Sequence, residues 1–146
     1  ANGIVPWMAG TPIAPKNLKP RPEITEMKWE VHPEGIYKML KYFDKYEKID
    51  KIIVTENGSA FPDVVEGDRV HDHQRKKFYQ DYLRQVLRAK REGVNVQGYY
   101  CWTLMDNFEW AEGYHPRFGL VHIDFETQKR TIKDSGLWFK EFLAKR

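Results

Sequence analysis

The sequence predicts an α/β fold that forms part of a (β/α)₈ barrel. Ile52 to Val54 is a short β-branched run that ends at Asn57-Gly58, as expected for a strand covered on both faces of a parallel sheet. A long helix and a second strand, Val96 to Leu104, follow, and this order predicts a βαβ unit. A sheet of only these two parallel strands has two unpaired edges, which complete proteins avoid by adding strands or closing a barrel. Because a complete barrel needs about 250 residues, the 146-residue chain is expected to be a fragment.

The region before the first strand combines a proline-rich stretch and a helix. Five of the eight prolines lie within the first 22 residues, which predicts an irregular loop over residues 1–25. A helix is expected to begin at Pro33, since proline is tolerated at the first helical position. Four apolar residues are spaced along one face, which we expect to be buried: Ile36, Met39, Leu40 and Phe43.

The long helix between the two strands has start and stop signals. Asp72 is the predicted N-cap, and Gly93 closes the C-terminus. Arg84, Arg88 and Arg91 line one face, which is typical of a solvated outer surface. The predicted buried stripe consists of Tyr79, Tyr82, Leu83, Val86 and Leu87.

The last third of the chain predicts a hairpin and a final helix. Phe118–Phe125 and Arg130–Ile132 flank the polar segment 126–129, a pattern typical of two antiparallel strands. Asp134 or Ser135 is expected to cap the helix. Its apolar residues are Leu137, Trp138, Phe142 and Leu143.

Composition excludes several classes of partner. With 24 basic and 21 acidic residues, the net charge of +3 is too small and too dispersed to favour nucleic acid or a membrane surface. No run of about 18 apolar residues could span a bilayer, and no signal-peptide pattern opens the chain. The single cysteine, Cys101, cannot form an intrachain disulfide and favours a reducing compartment, so a cytoplasmic location is expected.

Aromatic residues are concentrated between positions 99 and 118. Large rings there can form a buried core, which is the more common use, or a platform for the C–H faces of a sugar. Composition alone leaves both open. The seven residues are Tyr99, Tyr100, Trp102, Phe108, Trp110, Tyr114 and Phe118.

Carboxylates and indoles are predicted at one end of the sheet. Glu56 comes at the end of the first strand, where parallel α/β barrels place their reactive groups. Trp102, Glu109 and Trp110 follow at the end of the second strand. A strand end holds a nucleophile more rigidly than a loop does, so Glu56 suits attack on a sugar and Glu109 suits hydrogen bonding to hydroxyls. From spacing alone, a strand-end carboxylate paired with a neighbouring Arg or Lys is slightly favoured over a nucleophile for Glu56.

Several long motifs occur in an order that resembles the C-terminal third of the family 1 glycoside hydrolases. The similarity runs from about Glu26 to the end of the chain. The motifs are Met27, Trp29-Glu30 and Pro33-Glu34-Gly35, then Thr55-Glu56-Asn57-Gly58, the nine residues Trp102-Thr103-Leu104-Met105-Asp106-Asn107-Phe108-Glu109-Trp110, and Arg117-Phe118-Gly119.

The resemblance implies a β-glucosidase-like activity that retains anomeric configuration by double displacement. Glu56 matches the nucleophile, and Trp102 matches the residue that stacks beneath the reacting sugar. Glu109 matches a bidentate acceptor for two hydroxyls, and the Trp110 indole N–H lies beside it. Phe118 matches an aromatic wall of the pocket.

Further implications concern the substrate and the cofactor requirement. Trp29 resembles a residue on the aglycone side. Relatives that act on 6-phosphorylated glycosides replace the Glu-Trp pair, so Glu109 predicts a sugar without phosphate, since its charge would repel one. The resemblance implies no metal and no organic cofactor. His71 and His73 flank Asp72 without a further ligand at metal-site spacing, so they are expected to be solvent-exposed rather than a metal site.

One catalytic group has no match in this sequence. A retaining hydrolase needs a second carboxyl about 5 to 5.5 Å from the nucleophile, and the family carries it in an Asn-Glu-Pro motif that is absent here. Residues 1–146 are therefore expected to be the C-terminal portion of a single catalytic domain, inactive without its N-terminal portion. A non-catalytic sugar-binding fragment, or a half-barrel that self-associates through its strand edges, remains the alternative.

Overall fold

The computed structural model describes residues 22–145. The proline-rich segment predicted over residues 1–25 therefore lies almost entirely outside the described residues. The helices are α1 (Pro33–Phe43), α2 (His73–Arg91) and α3 (Asp134–Ala144). The strands are β1 (Ile52–Asn57), β2 (Val64–Glu66), β3 (Arg69–His71), β4 (Val96–Cys101), β5 (Val121–Ile123) and β6 (Arg130–Ile132).

The βαβ unit predicted from the sequence is confirmed. Strands β1 and β4 pair in parallel, and α2 connects them. Ile52 and Val54 pack on the helix side, against a core that contains Leu40, Val86 and Val96. Within residues 22–145 no further strand joins either edge of this pair, so the described part of the chain does not close a barrel.

The expectation that β1 is covered on both faces is wrong for the described residues. Ile53 is 43% exposed and Tyr100 is 62% exposed. A Cβ on Gly98 would contact both side chains, so the three residues share one face. Helices cover only the opposite face, because the residues described here supply a single helical layer. The sheet therefore has one apolar face without a covering layer.

Strand β4 ends at Cys101, three residues earlier than predicted. The chain then leaves β1 and runs beside the segment that precedes β5. Thr103 N–H donates to the Phe118 carbonyl at 3.3 Å, and Leu120 N–H donates to the Thr103 carbonyl at 3.0 Å. The peptide bond between Trp102 and Thr103 is cis. Residues 102–109 form the loop that follows β4.

Helices α1 and α2 begin where the sequence predicted, but their buried faces differ in detail. In α1, Leu40 is buried as predicted, whereas Phe43 is exposed at the last turn. In α2, Leu87 is exposed, contrary to prediction, and Ala89 is buried instead. The buried stripe of α2 is shifted because its two sides contact α1 and α3, and the sequence does not show where these neighbours lie. The predicted row of exposed arginines is confirmed.

The predicted N-caps do not cap their helices: Asp72 lies at the predicted position without a cap bond, and the prediction of Asp134 or Ser135 is wrong. Asp72 precedes α2, yet its carboxylate makes no cap bond and instead accepts the backbone N–H of Ser135 at 2.8 Å. Lys133 is the N-cap residue of α3, so Asp134 and Ser135 are already helical. The carboxylate of Asp134 contacts His71. These side chains hold α2 and α3 together instead of satisfying their own helix ends.

Two β-hairpins, β2–β3 and β5–β6, accompany the central unit, which consists of β1, α2 and β4. Strands β5 and β6 pair antiparallel, as predicted, although β5 covers only three residues of the expected eight-residue strand. The β2–β3 hairpin was not predicted, because each strand has three residues and lacks a clear alternation. Gly67 in its turn has φ +60°, a conformation that favours glycine. No helix within residues 22–145 is long and apolar enough to cross a membrane.

Candidate active site

A cavity of about 590 Å³ opens at the C-terminal ends of β1 and β4. This is the edge at which the sequence predicted the reactive groups. All six candidate residues line it: Trp29, Glu56, Trp102, Glu109, Trp110 and Phe118. The fold therefore brings together side chains that are up to 89 positions apart in the sequence.

Glu56 lies near the end of β1, with its side chain exposed. Its neighbour Asn57 is held by two bonds: the Asn57 carbonyl accepts the Trp102 N–H at 2.8 Å, and its Oδ1 accepts the Tyr99 hydroxyl at 2.6 Å. Among the described residues, Glu56 forms no ion pair with Lys or Arg. The alternative of a strand-end salt bridge therefore finds no support in the part of the chain that the structure describes.

Trp102 and the end of β1 approach each other closely. A Cβ on Gly58 would overlap the backbone of Trp102, so only glycine fits at this position. From the helix side, the Tyr79 hydroxyl donates to the Trp102 carbonyl at 2.9 Å. The backbone of Trp102 is thus fixed from two directions at the floor of the cavity.

Glu109 and Trp110 form one wall of the cavity. The Glu109 N–H donates to the Gly113 carbonyl at 2.7 Å, and a single turn of 3₁₀ helix follows at Trp110–Glu112. Glu109 Oε2 is buried and has no hydrogen-bond partner among the described residues. Such an atom is costly unless a ligand or another segment donates to it. The Trp110 side chain is 80% exposed.

Phe118 and Trp29 form the aromatic side of the cavity. Phe118 is almost fully buried, and its ring centroid lies 6.2 Å from that of Trp29 at an angle of 51°. The Trp29 N–H donates to Thr25 Oγ1 at 3.1 Å, which holds the short bend formed by residues 25–29.

The aromatic cluster between residues 99 and 118 is divided among the core, the cavity and the exposed surface. Tyr99 packs in the core, whereas Trp102 and Trp110 line the cavity. Phe108 and Tyr114 are exposed and contact each other edge to face, with ring centroids 5.3 Å apart. The environment of these rings therefore differs from residue to residue, and the sugar platform stays a prediction for those that line the cavity.

Arg75, which the sequence did not single out, is fully buried behind the cavity. Its guanidinium donates to the carboxylates of Asp63 and Asp72 at 2.7 Å each. It also donates to the carbonyls of Phe61 at 2.8 Å and Ser59 at 3.3 Å, and to the Arg117 carbonyl. Arg75 thus joins the loop after β1 to the segment that carries Phe118.

Asp106 organises the loop that carries Glu109. Its buried carboxylate accepts the Gly119 N–H at 2.8 Å and the Lys133 ammonium at 2.8 Å. Lys133 also lies 2.6 Å from Asp63. Burial lowers the pKa of Lys133, although Asp63 and Asp106 act in the opposite direction. The ammonium occupies the space between the two carboxylates, so these residues do not form a metal site together.

Further residues of the cavity were missed by the sequence analysis. Glu30 adds a carboxylate to its lining, and Phe78 and Tyr82 reach it from α2. Glu30 adjoins Trp29 within a family motif, which is a signal that could have singled it out. Phe78 is adjacent to the predicted stripe of α2, but no local pattern shows that it reaches the cavity.

Parallel strands with helical cover, together with carboxylates and indoles around one mouth at the strand ends, define part of an α/β-barrel glycoside hydrolase. Comparison with known proteins agrees. The chain belongs to glycosyl hydrolase family 1, whose family model matches residues 8–146.

Three relatives illustrate the similarity. The 1,4-β-D-glucan glucohydrolase of Thermotoga neapolitana is 50% identical over 120 residues, which are 82% of this chain and 27% of that protein. The 6-phospho-β-galactosidase 1 of Streptococcus pneumoniae is 42% identical over 126 residues, 84% of this chain and 27% of that protein. The solved β-glucosidase of Thermotoga maritima in complex with glucoimidazole has a TM-score of 0.82 and 45% identity, covering 87% of this chain and 29% of that one.

These figures confirm the predicted fold class. The structural neighbours are family 1 β-glucosidases, and the described residues correspond to a part of their barrel without closing it. The chain spans about a quarter of the length of the curated relatives that it matches.

Proposed function

We propose that this chain carries the nucleophile and the sugar-binding half of the active site of a retaining β-glycosidase of the β-glucosidase type. One observation carries the proposal: the six candidate residues line one cavity, with Glu56 at the end of β1. Glu56 has no cationic partner among the described residues, and it is exposed and lines the cavity. A carboxylate in this state is available to attack a sugar.

In the proposed reaction, a Glu56 carboxylate oxygen attacks the anomeric carbon as the bond to the aglycone oxygen breaks. A second carboxyl group protonates that oxygen and later removes a proton from the water that hydrolyses the glycosyl-enzyme. Glu30 and Glu109 also line the cavity. Neither matches the acid/base motif of the family, so we assign that carboxyl to a segment outside residues 1–146.

The sugar would be held by the remaining side chains. Trp102 offers a ring face for the C–H groups of a pyranose. Glu109 Oε2, which is buried and has no hydrogen-bond partner within residues 22–145, would accept a sugar hydroxyl, with the indole N–H of Trp110 as a donor beside it. Phe118 and Trp29 would border the apolar side of the substrate.

Glu109 also bears on the phosphorylation state of the substrate. One relative is a 6-phospho-β-galactosidase at 42% identity, and another is a glucan glucohydrolase at 50% identity. Overall similarity therefore does not separate the two substrate classes. A carboxylate whose buried oxygen lacks a donor would repel a phosphate dianion, and this favours an unphosphorylated β-glucoside.

A chimaera would test these roles in a complete barrel. The segment of the Thermotoga maritima β-glucosidase that aligns with residues 23–146 is replaced by this sequence, and hydrolysis of an aryl β-glucoside and its 6-phosphate is measured. The unphosphorylated substrate should be preferred. Glu109→Gln should raise KM for the glucoside while reducing discrimination against the phosphate. Preference for the phosphorylated substrate would contradict the proposal.

The nucleophile is tested in the same chimaera. Glu56→Ala should lower kcat by several orders of magnitude, and azide should restore turnover with an α-glycosyl azide as product, because the small anion attacks from the side that the carboxylate occupied. Glu112→Ala is the control, since this exposed glutamate lies outside the cavity. An active parent chimaera whose Glu56→Ala variant keeps normal activity would refute the assignment. Sugar binding without turnover by the parent would favour a non-catalytic sugar-binding protein.

A further inference from the structure

A cluster of potential metal ligands lies apart from the cavity, where β3, α2 and α3 meet. Ligand atoms of His71, His73 and Asp134 all lie within 4.8 Å of one another. His71 ends β3, His73 begins α2 and Asp134 begins α3. The sequence argued against a metal site here because the two histidines lacked a further ligand. The fold supplies one from 63 positions along the chain.

From this geometry we propose a binding site for a divalent transition-metal ion of the Zn²⁺ class, formed by His71, His73 and Asp134. His71 Nδ1 lies 2.6 Å from Asp134 Oδ2, with room for a proton between them. The metal ion would replace that proton, and the two atoms would move apart to about 3.4 Å, the spacing of ligands around a tetrahedral ion. Water would complete the coordination.

Groups around the cluster suit these roles. Glu66 Oε2 lies 3.6 Å from His71 Nε2, the ring nitrogen that the metal ion would not use. This distance is longer than a hydrogen bond, but the negative charge of Glu66 favours the tautomer that carries its proton on Nε2 and presents Nδ1 as a ligand. Arg69 lies 3.3 Å from Asp134 Oδ1, which leaves Oδ2 for the metal ion. The His71 and His73 rings are nearly parallel, with centroids 5.8 Å apart.

The ligand types set the choice of metal and the expected affinity. Imidazole nitrogens favour Zn²⁺, Cu²⁺ or Ni²⁺ over Mg²⁺ or Ca²⁺. His73 is exposed at the first residue of α2, so its side chain can turn toward the ion. The Arg69 charge opposes a cation, so a moderate affinity is expected. Because the ion would join β3 to two helices, it would stabilise the folded chain.

The test is titration of the purified full chain with Zn²⁺ by calorimetry, and with Co²⁺ by visible absorption, after treatment with a chelator. His73→Ala should weaken Zn²⁺ binding at least about tenfold, since it removes a ligand that contributes nothing to the core. Asp134→Asn should weaken it as well. Arg69→Ala should strengthen it, because the opposing charge is removed.

His115→Ala is the matched control, because this exposed histidine lies outside the cluster and should leave affinity unchanged. Circular dichroism of each variant separates loss of a ligand from loss of the fold. If Asp134→Asn unfolds, the His73→Ala variant still tests the proposal, because His73 is exposed and its replacement should leave the fold intact. Absence of Zn²⁺ and Co²⁺ binding to the original chain, or unchanged affinity in His73→Ala, would overturn the proposal.

Discussion

Arg75 contributes to the site without lining the cavity. A fully buried guanidinium is tolerated only when its donors are satisfied, and Arg75 meets this condition with two carboxylates and three carbonyls. Its bonds to Ser59 and Phe61 hold the loop that begins just after Glu56. The chain therefore uses a buried charge to order backbone that packing alone would leave loose.

Replacement of Arg75 should be strongly destabilising. Arg75→Met leaves the buried carboxylates of Asp63 and Asp72 without this cation, and the free energy of unfolding should fall by about 3–5 kcal/mol. Urea denaturation measures the loss. Arg84→Met is the control, because the Arg84–Asp81 pair is exposed and its loss should cost less than about 1 kcal/mol. Equal losses in the two variants would contradict this role for Arg75.

Cys101 should be unreactive in the folded chain. Burial raises the pKa of its thiol to about 12, although a hydrogen bond with Tyr79 acts in the opposite direction. An exposed thiol has a pKa near about 8.5, so at pH 8 the folded chain holds far less of the reactive thiolate. Reaction with an aromatic disulfide reagent should be slow at pH 8 and fast in urea. Similar rates in both conditions would contradict burial of the thiol.

At the scale of the elements, side chains placed to cap helices are used to connect them. Asp72 precedes α2 but binds Ser135 of α3, and Asp134 of α3 binds His71 of β3. Residues with the right chemistry for a cap therefore serve a tertiary contact. A cap bond would satisfy one helix end, whereas these contacts also fix the position of α3 against the central unit.

The contact between His71 and Asp134 should make stability depend on pH. The hydrogen bond from His71, and then that from Arg69, hold the pKa of Asp134 below its usual range. A lowered pKa in the folded state stabilises the fold above the unfolded value of about 3.9 and loses this effect as pH falls through the folded value. Asp134→Asn should therefore be less stable than the original chain at pH 6, and the difference should shrink toward pH 3.

Thermal unfolding with EDTA present would measure this dependence without a metal contribution. Asp44→Asn is a suitable control, since Asp44 is an exposed carboxylate after α1. The two variants should differ at pH 6 and converge in acid. A stability gap for Asp134→Asn that stays constant from pH 6 to pH 3 would exclude an electrostatic role.

At the scale of the whole molecule, the apolar face of the β1–β4 sheet that no helix within residues 22–145 covers is the feature most relevant to association. Ile53 and Tyr100 are exposed on this face, and the described residues supply no partner for the outer strand edges. Exposed apolar faces and unpaired edges favour association. In the complete relatives, the corresponding part of the chain accounts for little more than a quarter of the protein.

The isolated chain should therefore self-associate. Sedimentation velocity over a range of concentrations should detect oligomers, and Tyr100→Lys combined with Ile53→Lys should shift the equilibrium toward monomer, because both side chains are exposed on that face of the sheet. Leu87→Lys is the matched control, because Leu87 is exposed on the outer side of α2, away from the sheet. A chain that stays monomeric at every concentration would contradict this prediction.

Much of the fold follows from local signals. Pro33 marks the start of α1, the run from Ile52 predicts β1, and Gly93 closes α2. The errors have a common cause. Leu87 is exposed and β4 ends at Cys101, because the neighbours that cover a helix face or divert a strand come from distant parts of the sequence.

The features of the candidate site likewise divide into those that local sequence signals predict and those that depend on contacts between distant residues. The amino-acid sequence alone establishes the family motifs and places Glu56 at a strand end, because apolar runs and motif spacing are local properties. Only the tertiary structure decides that Arg75 is buried behind the cavity, that Glu109 keeps an oxygen without a partner in the described part of the chain, and that Asp134 contacts His71. Such contacts depend on distance and on the removal of water, and both arise only when remote segments pack together.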